Sequence, residues 1–178
     1  MNLRYTESAL NLIGESLVDG EITKLRVTGD SMYPLIRKGD IVLVRILSPD
    51  KLSLGDIVVF RRGGEYVTHR FLEDDGMTIL TKGDNSVFPD ARIDKEAVFG
   101  EVFQIQHIDK VLELDNKRAH YIAAIMALFS LANANITIAL ETMWIKLFKN
   151  EFTRIKILVT RVISYPFRGI IRIISLFI

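Results

Sequence analysis

One segment of this sequence, residues 119–140, contains no Asp, Glu, Lys or Arg in 22 consecutive positions, and it limits the possible folds more than any other feature. A helix needs about 20 predominantly apolar residues to span a bilayer, so the segment is long enough. Its polar residues are His120, Ser130, Asn133, Asn135 and Thr137. Because of them, a buried helix in a small helical subdomain is the alternative. We expect a helix that spans a membrane or is embedded in one.

The same segment lies in the basic part of a chain whose two parts differ in charge. Residues 1–114 carry 14 basic and 19 acidic side chains, whereas residues 115–178 carry nine and three. The net charge of the whole chain is only +1, which argues against a nucleic-acid partner bound through bulk positive charge. A basic, apolar C-terminal part predicts instead that the lipid bilayer is the partner. We expect the protein at the cell membrane and leave its topology open.

Residues before this tail have the pattern of a mainly β domain. Short apolar and β-branched runs lie at residues 41–44, 57–60, 66–71, 77–80 and 98–103. Many short strands separated by Gly and Asp predict an antiparallel barrel or folded sheet. Ahead of them, Leu10, Ile13 and Leu17 recur at helical spacing and predict a short helix over residues 6–18. The predicted domains are an N-terminal helix (1–20), a β domain (21–114) and an apolar, basic helical tail (115–178).

The tail beyond residue 140 predicts a basic amphipathic helix. One helical stripe carries Lys146, Lys149, Thr153, Lys156 and Thr160. The other side carries Trp144, Phe148, Phe152, Ile155, Val159 and Val162. This pattern is typical of a helix on a membrane surface or against a partner helix. Pro166 and Gly169 are expected to end it, and residues 168–178 to form a second short segment.

A candidate nucleophile lies in the segment Thr-Gly-Asp-Ser-Met-Tyr-Pro at residues 28–34. Ser31 follows a glycine-containing turn and precedes a predicted strand. Glycine lets the backbone approach closely, which a serine nucleophile needs if its own amide is to face an oxyanion. An ordinary turn with a capping serine is the alternative interpretation.

A histidine and two acids complete the candidate chemistry. His69 lies in a predicted strand 38 residues after Ser31, and an ordinary imidazole, with a pKa of ~6.5, can accept a serine proton near neutral pH. Asp84 and Asp90 flank a turn-rich loop. A carboxylate beside a serine–histidine pair fixes the imidazole tautomer. Acids that bond their own turn backbone are the alternative.

Together these motifs resemble type I signal peptidases. The matching features are Gly-Asp-Ser-Met-x-Pro at residues 29–34, Lys-Gly-Asp at 38–40, the His-Arg step at 69–70, and Leu-Thr-Lys-Gly-Asp-Asn at 80–85 with a further acid, Asp90. The resemblance is closest to the branch of the endoplasmic reticulum, archaea and some sporulating bacteria, within the superfamily that includes LexA-type repressors. It covers residues 25–102.

The resemblance implies a role for each matched residue. Ser31 would be the nucleophile and its backbone amide part of the oxyanion hole, and His69 would be the general base. Asp84, Asp90 or both would orient His69. Met32 and Pro34 would shape an apolar groove that prefers small residues before the cut. The substrate would be a precursor or signal peptide, and no metal or organic cofactor is implied.

One departure from the family pattern concerns residue 29. Many signal peptidases carry a serine two residues before the nucleophile, whereas this chain has Gly29. Two other functions remain open at this point: a self-cleaving regulator of the LexA type, and a membrane interaction module whose serine site is vestigial. Lys82 is the alternative base, because the common bacterial branch and LexA-type repressors use lysine.

Overall fold

The structure, a computed structural model, describes residues 19–148 and 153–177. Within them the N-terminal part is an eight-stranded sheet in which neighbouring strands pair antiparallel. The strands are β1 (Ile22–Arg26), β2 (Ile41–Arg45), β3 (Ile57–Arg62), β4 (Glu65–Asp74), β5 (Thr78–Lys82), β6 (Ile93–Asp94), β7 (Val98–Gln106) and β8 (Val111–Glu113). Two helices follow, α1 (Lys117–Phe148) and α2 (Thr153–Ile174).

The predicted fold class, a mainly antiparallel β domain followed by a helical tail, is confirmed. The strand order is β1-β2-β7-β3-β4-β5-β6, and β8 pairs with β7. Short 3-10 helices lie at Pro49–Lys51, Lys95–Ala97 and Ser175–Phe177. The predicted helix over residues 6–18 lies outside the described residues.

Alternating side chains give the sheet an apolar core on each face. On β3, Ile57 and Val59 belong to one cluster, which includes Ile36 from the loop before β2. Val58 and Phe60 belong to another, with Phe71 of β4. Since successive strand residues point to opposite faces, β3 is buried on both. It lies next to β4, the strand that carries His69.

Helix α1 packs directly on the sheet through its N-terminal half. Asn116 caps it, because its Oδ1 accepts a hydrogen bond from the amide of Ala119 at 2.9 Å. Further along, Ala127 packs with Leu72 and Leu80 of β4 and β5. The backbone of α1 comes so close to Gly55 that a Cβ there would lie 2.4 Å from the carbonyl carbon of Ala123. Only glycine fits beneath the helix at this point.

Helix α2 packs against α1 and corrects the expectation that Pro166 and Gly169 end the helical segment. Both residues lie inside α2. A proline removes one backbone hydrogen bond and can bend a helix without ending it. Ser164 and Ile171 are fully buried on either side of Pro166, so packing holds both halves of α2 in place.

The two helices bury polar side chains and expose apolar ones. The fully or almost fully buried polar residues are Ser130, Asn133 and Thr137 of α1 and Thr160 and Ser164 of α2. The exposed apolar residues include Leu128, Ile138, Met143, Leu147, Leu158 and Val162. Thr160, which the sequence places on one stripe with Lys146 and Lys149, is only 2% exposed. Soluble helices normally show the opposite arrangement.

By length and composition, α1 is long and apolar enough to cross a membrane. Within the segment Lys117–Leu147, an 18-residue window has a mean hydropathy of 1.8, and 33% of the residues in that window are buried. Two thirds of the residues in that window are thus at least partly exposed.

The close approach of Gly55 to α1 predicts that alanine at this position lowers the free energy of unfolding more than alanine at Gly39 does. Gly55 and Gly39 both have a φ of 98°, but a Cβ at Gly39 would meet nothing within 4 Å. We expect Gly39→Ala to cost ~1–2 kcal/mol, the strain of a left-handed backbone, and Gly55→Ala at least ~2 kcal/mol more because it forces α1 off the sheet. Urea unfolding measures both. Equal costs for the two variants would contradict this packing of α1.

Candidate active site

The structure brings Ser31, His69 and Asp90 into one hydrogen-bonded chain. Ser31 Oγ lies 2.9 Å from His69 Nε2, and His69 Nδ1 lies 2.5 Å from Asp90 Oδ2. The His69 side chain is 7% exposed and that of Asp90 is 10% exposed. A hydroxyl, an imidazole and a carboxylate in this order form the arrangement in which serine nucleophiles are activated.

Asp90 is held in place by three side chains. Its Oδ2 also accepts a hydrogen bond from Thr81 Oγ1 at 2.8 Å, and its Oδ1 accepts one from Arg62 Nη1 at 2.7 Å. Burial alone would raise the pKa of Asp90. The interactions with His69, Thr81 and Arg62 outweigh burial, and the pKa lies below its ordinary value. Asp90 is therefore a carboxylate at neutral pH, as an orienting acid must be.

A glycine allows the serine and histidine to meet. A Cβ at Gly83 would lie 3.0 Å from His69 Nε2 and 2.8 Å from the carbonyl oxygen of Ser31. Any larger residue would press on the imidazole and also on the segment that carries Ser31, residues 28–34, which we call the nucleophile turn. The amide of Asn85 then donates a hydrogen bond to the Ser31 carbonyl at 2.7 Å, which ties the loop after β5 to that turn.

Asp84, the other candidate for orienting His69, instead pairs with Arg70. Arg70 Nε donates to Asp84 Oδ1 at 2.8 Å and Nη2 donates to Oδ2 at 2.6 Å. Both side chains are fully buried. Neighbouring strand residues point to opposite faces. His69 and Arg70 therefore contact different acids of the same loop. Asp84 is therefore a structural ion-pair partner, and Asp90 is the acid at His69.

The two residues expected to shape a substrate groove differ in exposure. Met32 is only 2% exposed and packs in the core with Leu35 and Ile36. Its side chain follows the turn inward because β2 and β7 present an apolar face there. Pro34 is partly exposed, next to Tyr33.

Four residues of the site were not singled out from the sequence: Thr81, Arg62, Gly83 and Asn85. Thr81 and Gly83 lie inside the Leu-Thr-Lys-Gly-Asp-Asn motif, so the motif itself was the available signal. Arg62 lies at the end of β3, paired with Glu65 of β4, and only the strand register shows that it reaches Asp90. Among residues 19–148 and 153–177, no group of three or more His, Asp or Glu side chains has the geometry of a metal site.

Comparison with known families agrees with this geometry. The family model described as Peptidase S24-like matches residues 3–103, more than half of the chain. The chain belongs to the S24-like peptidase family. A search of curated proteins gave no match. Membership supports serine-peptidase chemistry, of which self-cleavage in the LexA manner is one form, and the matched range contains Ser31, His69 and Asp90.

Lys82, the alternative base in this S24-like domain, is fully buried beside the site. Its Nζ lies 3.4 Å from the carbonyl oxygen of Gly83. Burial lowers the pKa of Lys82 to about 8, against the opposing attraction of Asp84. The position next to Ser31 Oγ is taken by His69.

The lowered pKa of Lys82 predicts a pH-dependent stability. Between about 8 and its ordinary value of 10.5, the folded state binds fewer protons at Lys82 than the unfolded state does, so the free energy of unfolding rises with pH. At pH 7 the buried ammonium group lowers that free energy. We expect Lys82→Met to be more stable than the parent at pH 7, by about 1–3 kcal/mol, with the difference shrinking as pH rises to 10.5.

Denaturant unfolding of both proteins across this pH range measures the difference. Lys38→Met, at an exposed lysine near the same turn, is the control and should show no such pH trend. A constant gap between Lys82→Met and the parent would contradict a titrating, buried Lys82.

Proposed function

We propose that the chain is a serine endopeptidase of the signal-peptidase type, which cuts precursor, signal or leader peptides after small residues at or near a membrane. The observation that carries this is the chain of contacts from Ser31 Oγ through His69 to Asp90. The likeness of the motifs at residues 29–34 and 80–85 to signal peptidases supports the finer assignment within the family.

The geometry gives each group a step in the reaction. Ser31 Oγ attacks the carbonyl carbon of the scissile bond while His69 Nε2 takes the hydroxyl proton. Asp90 holds the imidazole in the required tautomer and stabilises its protonated form. The backbone amide of Ser31 stabilises the oxyanion. His69 then gives its proton to the departing amine, and water, activated by the same imidazole, hydrolyses the acyl-enzyme.

Self-cleavage in the LexA manner is the second candidate, because the chain matches the Peptidase S24-like family. Arg172 of α2 donates a hydrogen bond to Asn85, beside the nucleophile turn. Peptidases act on chain that can be bound in extended form, whereas Arg172 lies within a helix. The contact therefore favours a peptide from another chain as substrate. A truncated product that forms without added peptide, and with first-order kinetics, would favour self-cleavage.

We also propose that α1 and α2 contact the lipid bilayer, at the cell membrane. Both helices expose apolar residues and bury polar ones, an arrangement suited to an apolar surrounding. The tail's net charge of +6 would add attraction to anionic lipids. A bilayer partner would also bring the site close to membrane-bound precursors.

Substitution of Asp90 should lower activity, whereas substitution of Asp84 should lower stability. We expect Ser31→Ala to abolish cleavage of a precursor peptide, and Asp90→Asn to lower kcat by about 10³-fold or more, because the neutral amide no longer fixes the tautomer. Asp84→Asn should instead lower the free energy of unfolding by ~3–5 kcal/mol, since it leaves Arg70 buried without a counter-charge.

Steady-state kinetics and thermal unfolding of the three variants separate these effects. Asp90→Asn should lower the free energy of unfolding less than Asp84→Asn does, because its partner Arg62 is exposed. Full cleavage by Ser31→Ala, or by a folded Asp90→Asn protein, would contradict the proposed mechanism.

The lipid proposal is tested by vesicle flotation. We expect the full chain to float with vesicles of phosphatidylcholine and phosphatidylglycerol. Leu158→Gln with Val162→Gln should reduce the floating fraction at least ~10-fold in partition constant, because two apolar side chains lose their transfer free energy. The matched control is Met77→Gln with Val111→Gln, two exposed apolar residues of the β domain. Equal flotation of the two double variants would contradict contact through α2.

A further inference from the structure

The C-terminal end of α2 contacts the nucleophile turn and also the loop after β5. Arg172 Nη2 donates a hydrogen bond to Asn85 Oδ1 at 3.2 Å. The guanidinium carbon of the same residue lies 5.5 Å from the centroid of the Tyr33 ring, within the range of a cation–π interaction. Tyr33 follows Ser31 by two positions, and Asn85 follows Asp84. One arginine, 141 residues after Ser31 in the sequence, thus contacts two segments that meet at the nucleophile.

Asn85 itself holds the nucleophile turn by two hydrogen bonds. Its backbone amide donates to the carbonyl oxygen of Ser31 at 2.7 Å. Its side-chain Nδ2 donates to the carbonyl oxygen of Asp30 at 3.4 Å. Because these two carbonyls belong to consecutive residues, Asn85 limits the rotation of the peptide unit that carries the serine.

Arg172 fixes which way the Asn85 amide points. A guanidinium has only donors, so its partner must be the amide oxygen, and the amide nitrogen is then turned toward Asp30. Arg172 has no carboxylate within ion-pair distance in the described part of the chain. Its hydrogen-bonding and ring contacts are therefore directed at the nucleophile turn and the loop that clamps it.

We propose that Arg172 and Asn85 are positioning residues for Ser31, and that through them α2 holds the nucleophile in its reactive geometry. The expected effect on turnover rests on the proposed function, because it requires Ser31 to be the nucleophile. The structural link itself, from α2 through Asn85 to the Ser31 carbonyl, is a property of the folded chain. It makes the helical tail a component of the active site as well as a surface for partners.

Steady-state cleavage of a precursor peptide tests the effect on turnover, with the full chain in detergent. We expect Arg172→Ala to lower kcat about 3- to 10-fold, the range of one net hydrogen bond with a weak cation–π contact, while KM changes less than about two-fold because Arg172 acts through Asn85. Arg172→Lys should recover part of the loss, since it keeps a cation and a donor. Arg118→Ala, at an exposed arginine of α1, is the control and should match the parent.

A double-mutant cycle tests whether Arg172 acts through Asn85. We expect Asn85→Ala to lower kcat, and Arg172→Ala to lower it by a smaller factor in that background than in the parent, because only the contact of Arg172 with Tyr33 then remains. Losses that multiply fully in the double variant would overturn the link, as would an Arg172→Ala protein with parental kcat.

Hydrogen exchange provides a readout that does not depend on cleavage. We expect faster exchange in peptides covering residues 28–36 and at the amide of Asn85 in Arg172→Ala, with no change in Arg118→Ala. Unchanged exchange in Arg172→Ala would overturn the positioning role. Faster exchange in a protein that shows no Ser31-dependent cleavage would instead leave the link standing and reject the proposed function.

Discussion

The buried ion pair of Arg70 and Asp84 is the interaction on which the site depends. Two hydrogen bonds join the guanidinium to the carboxylate, and Arg70 Nη1 donates a third to the carbonyl oxygen of Gly55 at 2.7 Å. The pair therefore joins β4, the loop after β5 and the turn on which α1 rests. A buried pair of this kind adds little net stability, but loss of one partner is costly. That cost keeps the loop in one position.

The residues that precede Arg70 and Asp84 in the sequence belong to the active site. His69 precedes Arg70 on β4 and points to the other face, where it meets Asp90 from the far end of the same loop. Gly83 precedes Asp84 and leaves room for His69 and the Ser31 turn. The fully buried charges thus fix the backbone, and His69, the neighbour of Arg70, is held where it contacts Ser31 and Asp90.

The sequence was sufficient for five of the eight strands, β2, β3, β4, β5 and β7, and for the serine–histidine pair and an acid beside it, because these follow from apolar runs and from compact motifs. The strands β1, β6 and β8 were not predicted. The sequence could not choose between Asp84 and Asp90, since that choice depends on the β4–β5 register, which shifts between Phe71 and Glu73. The sequence also did not predict the buried polar residues of the helices or the contact of Arg172 with Asn85. Both depend on contacts between segments far apart in the chain, which helical periodicity does not encode. Pro166 was misjudged because the packing of Ser164 and Ile171 outweighs a local helix-breaking preference.

Direct detection of an acyl-enzyme tests the central claim, that Ser31 is a nucleophile activated by His69 and Asp90. A precursor peptide is mixed with the full chain, the reaction is quenched with acid within the first turnover, and the digested protein is analysed by mass spectrometry. We predict that the peptide containing Ser31 carries the N-terminal fragment of the substrate as an ester. Turnover with the adduct on another residue, or steady cleavage that persists in Ser31→Ala, would contradict the claim.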